Sequence, residues 1–518
     1  MSSLWPLPLD PELLGQLKVR LSAEQLKQVA EAFHKVELEN RYLRELLRLE
    51  RIAKYGPGSE RLSDAQLELL ELEPGVSDAE IRAEAERAQL RLPLAKAPSA
   101  KRTGRQDLPA HLPRIEQTIA CTPQQCVCAK CGKEKAVIGF EQSEQLDVEP
   151  AKYFVRVIKR EKRACRSCEE AGVSCAPLSP KIIDKCLASN RLVTDVVVNK
   201  YCDHLPLYRQ SEILEREFGI ELPRVTLCSW VMKVGSLLQA ISGVMRQELL
   251  AGDYIQADET PVGVQTHDGR GKNHQAYLWQ YSRPFGVVVF EFQMHRSREG
   301  PRKFLYNYEG LLQTDGYGAY DRVGGPQMVH AGCWSHARRY FFQALQAHPQ
   351  DRAAAAIVAE IDQLFEVEAD AKRLGYSAQQ RLELRQRRSV PILESIRAQI
   401  QSARQNTLPK SSLAKACDYT LTLWNRLSRF LEYAVLELSN NWAENAIRPV
   451  ALGRKNWLHI GSEQAGPRIA AIMSVIETCR RNKILVRDYL NAILPGLADL
   501  PVNRAAELTP LAWRASQS

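Results

Sequence analysis

The chain has 518 residues, with 70 Lys and Arg against 61 Asp and Glu and a formal net charge of +9. That length supports several domains with ample material for cores, and the mild basic excess suits a polyanionic partner. No uninterrupted apolar run reaches the roughly 18 residues a membrane span requires, and the amino terminus lacks the charged-then-apolar secretory pattern. The 13 cysteines are odd in number and cluster as pairs, so the expectation is a soluble, cytoplasmic protein with reduced thiols, some bound to metal.

Residues 22–52 carry a heptad: Leu26, Val29, Phe33, Val36, Asn40, Leu43 and Leu47 fall at alternating steps of three and four. The pattern predicts an N-terminal helix or coiled coil within 1–52, with Asn40 at a core position that would fix register. An amphipathic helix packed on its own chain is the alternative. Residues 53–115 mix charges with Gly and Pro and read as a linker, interrupted by a short helix around 63–88.

Cys128-x-x-Cys131 and Cys165-x-x-Cys168 follow, with 34 residues from Cys131 to Cys165. Each pair can place two thiolates at one corner of a zinc tetrahedron. With the strand-like stretch Tyr153–Ile158 between them, they predict a zinc ribbon over 116–180, in which one structural zinc replaces a core too small to build otherwise. A redox dithiol is the competing reading. Lys152, Arg156, Lys159, Arg160, Lys162, Arg163 and Arg166 crowd this segment, and beside a zinc ribbon such a run suits DNA phosphates.

Residues 181–245 read as helical. A helix over Tyr208–Phe218, a break at Gly219 and a helix from Pro223 to Leu238 resemble a helix-turn-helix, with an ordinary helical hairpin as the alternative.

From 252 the pattern turns to strands: Gly252–Thr260, Ala276–Ser282 and Gly286–Met294 as an antiparallel meander, a helix over 298–307, then Leu311–Thr314 and Met328–Ala331. This is the outline of a ribonuclease-H-like α/β core, assigned to 246–346 and 439–493. Residues 347–438 read as an all-α insertion splitting it, with helices over 353–361, 379–388, Ile392–Ala403 and Leu413–Leu436. Residues 465–493 read as a final helix pair, and 494–518 as a tail. The whole is a multidomain α+β chain.

Three acids stand out. Asp258 lies in G-D-Y-I-Q-A-D-E-T, Asp315 in L-L-Q-T-D-G-Y-G-A-Y, and Glu444 in N-N-W-A-E-N-A-I-R-P. Two strand carboxylates and one helix carboxylate can hold two Mg²⁺ ions, which serve the attacking and leaving oxygens of a phosphodiester. Asp258 would bridge the ions, with Asp315 and Glu444 on one each. Glu259 adjoins Asp258, and only one of the two can point inward. Arg448 lies one helical turn beyond Glu444 and could meet phosphate or pair with Glu444. Arg454 and Lys455 in G-R-K-N-W-L are candidate DNA contacts. His336 in C-W-S-H-A-R-R-Y-F could orient a phosphate, or be structural with a capping bond.

T-D-G-Y-G-A-Y, C-W-S-H-A-R-R-Y-F, N-N-W-A-E-N-A-I-R-P-V-A-L-G-R-K-N-W and L-P-A-H-L-P-R (108–114) together resemble the transposase of the insertion-sequence-66 family. The resemblance covers nearly the whole chain. It implies a DDE transposase with triad Asp258, Asp315 and Glu444, and a zinc-finger segment at the paired cysteines. Ser439 and Asn445 stand where the family usually has an acid and a base, and T-G-R-Q replaces the R-G-R-P core of an AT-hook. The implied partners are double-stranded DNA (terminal inverted repeats and target), at least a second copy of the chain on DNA, and accessory proteins of the same element. The rivals are an inactive zinc-containing DNA-binding regulator and a structure-selective nuclease of the same fold.

Overall fold

The computed structural model describes residues 22–55, 133, 152–164, 173–266 and 273–517. The four paired cysteines, the linker helix around 63–88 and the loop 267–272 lie outside them. The chain forms two compact units, one of Met1–Leu90 with Leu178–Ser518 and the other of Arg91–Pro177.

In the first unit, helix α1 (Ala23–Tyr55) covers the heptad. Val29, Phe33, Val36, Leu43 and Leu47 on it are exposed, as is Asn40. Near its end Glu45 is buried and accepts from Ser412 N at 2.5 Å.

In the second unit, β1 (Lys162–Ala164) pairs antiparallel with β2 (Val173–Cys175). Tyr153–Ile158, expected as a strand, is extended, exposed chain that joins no ladder among the described residues; the pairing among them begins where Ala176 N donates to Glu161 O.

The first unit continues with helices α2 (Asn190–Tyr201), α3 (Leu207–Phe218) and α4 (Arg224–Leu250). Ser189 caps α2, and Gly219 ends α3 at φ 63°, the left-handed conformation glycine adopts at least cost. Helix α4 runs well past Leu238, so the boundary drawn at 245 falls inside it. Its length and composition would suit a membrane span, yet Val231, Val234, Leu238, Ile241, Met245 and Leu249 are buried in the core they share with the sheet. Gly235 lets α4 approach another helix closely, because a Cβ there would meet Arg468 backbone O at 2.9 Å.

Strands β3 (Tyr254–Val264), β4 (His274–Ser282) and β5 (Val288–Gln293) form an antiparallel meander. The short helix α5 (Glu299–Phe304) leads to β6 (Leu311–Gln313) and then β7 (Val329–Ala331). The sheet order is β5-β4-β3-β6-β7, with β6 parallel to β3 and to β7.

Helices α6 (Trp334–Ala347), α7 (Arg352–Arg373), α8 (Ala378–Leu384), α9 (Val390–Gln405), α10 (Ser412–Thr422) and α11 (Trp424–Leu427) follow. They share a second core with Tyr254, Leu311 and Ala331 of the sheet. The chain returns through α12 (Asn441–Trp457) and β8 (His459–Ile460), which pairs parallel with the end of β3. Helix α13 (Gly466–Arg481) packs beneath β5, where Ser474 and Thr478 hydroxyls accept from Phe290 N and Val288 N. Helices α14 (Val486–Ile493) and α15 (Pro510–Ser516) close the unit; the tail is ordered, with Trp513 edge-on to Tyr489.

The segment Leu413–Leu436, read as one helix, breaks after Thr422. Beyond the break a buried cation organises the chain: Arg385, on a π turn between α8 and α9, donates to the carbonyls of Phe430, Tyr433 and Leu436 at 2.7, 3.1 and 2.8 Å. Arg385 also holds Glu368 at 2.7 Å, and Arg381 bridges Glu368 at 2.6 Å to Glu437 at 3.1 Å. Burial alone would raise the Glu437 carboxyl, but Arg381 and Lys372 outweigh it and hold it at about 2. Glu437→Gln leaves two buried guanidinium groups, Arg381 and Arg385, to share the single carboxylate of Glu368, so it should destabilise the first unit by about 3 kcal/mol in denaturant titrations. Because the folded value is depressed, the Glu437 contribution is whole above the ordinary carboxylate range. It is lost as pH falls through about 2, so the wild-type-minus-variant difference should shrink only in acid.

Candidate active site

Alternation along β3 puts Tyr254, Gln256 and Asp258 on one face. Parallel pairing sets Gln256 against Gln313. Asp258 lies two residues beyond Gln256 and Asp315 two beyond Gln313, so one register step carries both acids forward together. Gln256 Nε2 donates to Gln313 Oε1 at 3.0 Å and to Ser439 O at 2.9 Å, while its Oε1 accepts from Ala443 N at 3.3 Å. The amide thus docks the start of α12 on that face, and Glu444 is the next residue.

The electrostatics agree. Burial raises the Asp258 carboxyl well above its ordinary range, and Glu444, Glu259 and Asp315 raise it further against one opposing backbone N–H. Asp258 Oδ1 accepts from Glu259 N at 2.8 Å, and Asp315 Oδ1 from Tyr317 N at 2.8 Å. Gly316 sits at φ +90°, and Leu423 occupies the space a Cβ would need. The Tyr419 hydroxyl donates to Asp315 O, so the insertion grips the backbone that presents Asp315.

Glu259 takes the opposite face. Its side chain is 1% exposed, paired with Arg296 at 2.5 Å and accepting from the Tyr320 hydroxyl at 2.7 Å. Glu444 has Arg339 Nη2 at 3.4 Å from Oε2 and His336 Nδ1 at 3.6 Å from Oε1. Among the described residues neither Nδ1 nor Oε1, both buried, has a hydrogen-bond partner, so no capping bond from them engages Nδ1. Burial lowers the His336 pKa, which keeps the ring neutral, although Glu444 pulls the other way. Gln280, opposite Asp258 on β4, is fully buried, and neither end of its amide has a hydrogen-bond partner among the described residues.

Arg454 donates to the Thr260 hydroxyl at 2.7 Å and to Pro261 O at 2.5 Å, so it fastens α12 to β3. Lys455 is exposed and Arg448 half-buried. In the other unit Arg156, Lys159 and Arg160 are exposed, and Arg160 Nε donates to Ala176 O at 2.6 Å. Cys128, Cys131, Cys165 and Cys168 lie outside the described residues. Sequence reasoning missed Arg339, Tyr419 and Gln280. Arg339 stood within a quoted motif, but no spacing rule links it to a carboxylate more than a hundred residues away.

Asp315 and Glu444 both lie near enough to raise the Asp258 carboxyl, and Glu444 Oε1 has no hydrogen-bond partner among the described residues. Hard divalent cations prefer such donors, so the residues fit magnesium.

Residues 185–468 match the Transposase IS66 family, a segment from just before α2 into α13 that contains all three acids. Residues 125–169 match the zinc-finger binding domain of transposase IS66 and span the four paired cysteines, which supports zinc binding. Residues 42–116 match Transposase C of IS166 homeodomain, and with the transposase match this implies DNA binding. The uncharacterized proteins y4qI and y4hP of Sinorhizobium fredii (strain NBRC 101917 / NGR234) are 33% and 30% identical, over 90% and 89% of this chain and 88% and 86% of their own lengths. The chain is a member of the transposase IS66 family.

Proposed function

We propose that the chain is a DDE transposase whose ribonuclease-H-like core cuts one strand at each element end and joins the freed 3′-hydroxyl to target DNA. The observation that carries the reading is the placement of the acids: Asp258 and Asp315 each stand two residues beyond the paired Gln256 and Gln313 of neighbouring parallel strands, and Glu444, in the first turn of a later helix, follows Ala443, whose N–H donates to Gln256 Oε1. The strand order and the later helix support the ribonuclease-H-like assignment. In this reading Asp258, Asp315 and Glu444 hold two Mg²⁺, and the bound ions supply an activated nucleophile and charge stabilisation at phosphorus. His336 and Arg339 orient Glu444; Tyr419 and Gly316 hold the Asp315 backbone; Arg448 and Lys455 meet phosphate. Arg454 is better read as structural.

The zinc ribbon is assigned to Cys128, Cys131, Cys165 and Cys168. It presents Arg156 and Lys159 to duplex DNA, and α1 pairs with a second copy through its exposed heptad residues. The protein works in the bacterial cytoplasm on its own element's terminal repeats, with accessory proteins of that element.

Purified protein with Mg²⁺, a labelled terminal inverted repeat and a plasmid target tests this. Wild type should cut and join. Asp258→Asn, Asp315→Asn and Glu444→Gln should each lose activity on the order of 10³-fold or more while still binding the labelled end. Cutting without joining would favour a structure-selective nuclease. Binding with no cutting by wild type would favour a regulator.

Charge crowding yields a second expectation, in metal-free buffer. The Asp258 carboxyl is raised in the folded state, so its ionisation opposes folding as pH climbs above the ordinary carboxylate range, and that penalty is absent below it. Asp258→Asn should therefore melt higher than wild type at neutral pH, with the gap closing in acid. Added Mg²⁺ should raise the melting point of wild type more than that of the variant.

A further inference from the structure

A different donor set meets the same helix turn. Cys333 precedes α6, His336 is in its first turn, and Glu444 is in the first turn of α12. Sulfur, ring nitrogen and carboxylate oxygen all lie within 4.8 Å of one another. The His336 Nδ1 to Glu444 Oε1 separation is 3.6 Å. That is too long for a hydrogen bond, and close to the roughly 3.3 Å between two ligands of a tetrahedral zinc ion. Both atoms are buried and lack hydrogen-bond partners among the described residues, a costly arrangement for groups of this kind.

We propose that Cys333, His336 and Glu444 form a second metal site for one borderline-soft divalent cation of the zinc class, whose occupation withdraws Glu444 from magnesium. The site itself stands on geometry alone; the competition rests on the reading of Glu444 as a magnesium ligand.

The chemistry discriminates. Magnesium takes oxygen ligands and gains little from thiolate or imidazole, whereas zinc accepts all three donors. On binding, the Cys333 thiol releases its proton to solvent. The thiolate and the Glu444 carboxylate then cancel the dication's charge, and the imidazole remains neutral. Three protein ligands leave a fourth position open, the pattern of exchangeable sites rather than closed structural ones. Arg339 approaches Glu444 at Oε2, so Oε1 remains available. Drawing the widest donor pair together by about 1 Å would complete the tetrahedron. The spacing C-x-x-H at the start of a helix keeps both side chains on one face.

The test uses full-length protein stripped of metal and reloaded with zinc or cobalt. Wild type should bind one more zinc per chain than Cys333→Ser or His336→Gln, because the zinc-finger cysteines contribute equally to all three. The cobalt forms should differ by a thiolate-to-metal absorption band lost in Cys333→Ser. In the end-cutting assay, zinc should inhibit wild type at concentrations at least about 10-fold below those needed for Cys333→Ser, with equal magnesium-supported activity. Equal zinc content and equal cobalt spectra in all three proteins would overturn the site. An extra zinc without selective inhibition would overturn the competition. An extra zinc in a wild type that never cuts with magnesium would uphold the site and sink the transposase reading instead.

Discussion

The Gln256–Gln313 contact is the constraint on which the candidate site depends. Each amide stands two residues before an acid, and the pair is fully buried. Gln313 Oε1 accepts from Gln256 at 3.0 Å and from the Tyr254 hydroxyl at 2.5 Å, and its Nε2 donates to Gly332 O at 2.9 Å and Glu437 O at 2.8 Å. Gln256 reaches Ser439 O and Ala443 N on the incoming helix. Two side chains therefore tie two strands, the exit to the insertion and its return. A buried amide that lost these partners would cost about 1–3 kcal/mol per unmet group, so the junction has few alternative arrangements. Three carboxylates can be held near one another against their repulsion only if the backbones carrying them cannot drift.

The chain leaves the sheet after Ala331 and re-enters at Ser439. Long loops cost surprisingly little entropy to close; the harder problem is angular precision at the return. The insertion meets it by packing on the sheet rather than hanging from it. Trp334 N donates to Leu438 O and Trp334 Nε1 to Leu427 O, while Gly332 N donates to Arg426 O. The Glu368, Arg381, Arg385 and Glu437 network then anchors the segment 430–437. Buried ion pairs are poor sources of net stability, since desolvation offsets attraction. What they can supply is a fixed direction for the segment that returns the chain into α12. These contacts suit the insertion's role as a buttress for Asp315 and Glu444.

Much of this architecture was legible because periodicity and turn chemistry are local. The meander, the acids' elements and the final helix pair need only a window of a dozen residues. The choice between Asp258 and Glu259 was not legible, since both alternate faces of β3 are covered and the deciding partners, Arg296 and Tyr320, are remote in sequence. Likewise nothing near Leu413–Leu436 announces that Arg385 will claim its carbonyls. Helix α4 shows a third limit, for an apolar helix start resembling a recognition module gives no sign that its second half is core.

His336, Cys333 and Glu444 lie where these constraints meet. Asn440 N approaches Cys333 Sγ at 3.5 Å, so the α6 start and the α12 start are fastened one residue row behind the carboxylate. That fastening brings a thiol and an imidazole beside the Glu444 carboxylate. Moving either donor away would require separating the two helix starts, and with them the junction that places Glu444. In the proposed reading, the way the last acid is delivered sets soft donors beside it, and the identity of the divalent ion in the solution would decide which set is used.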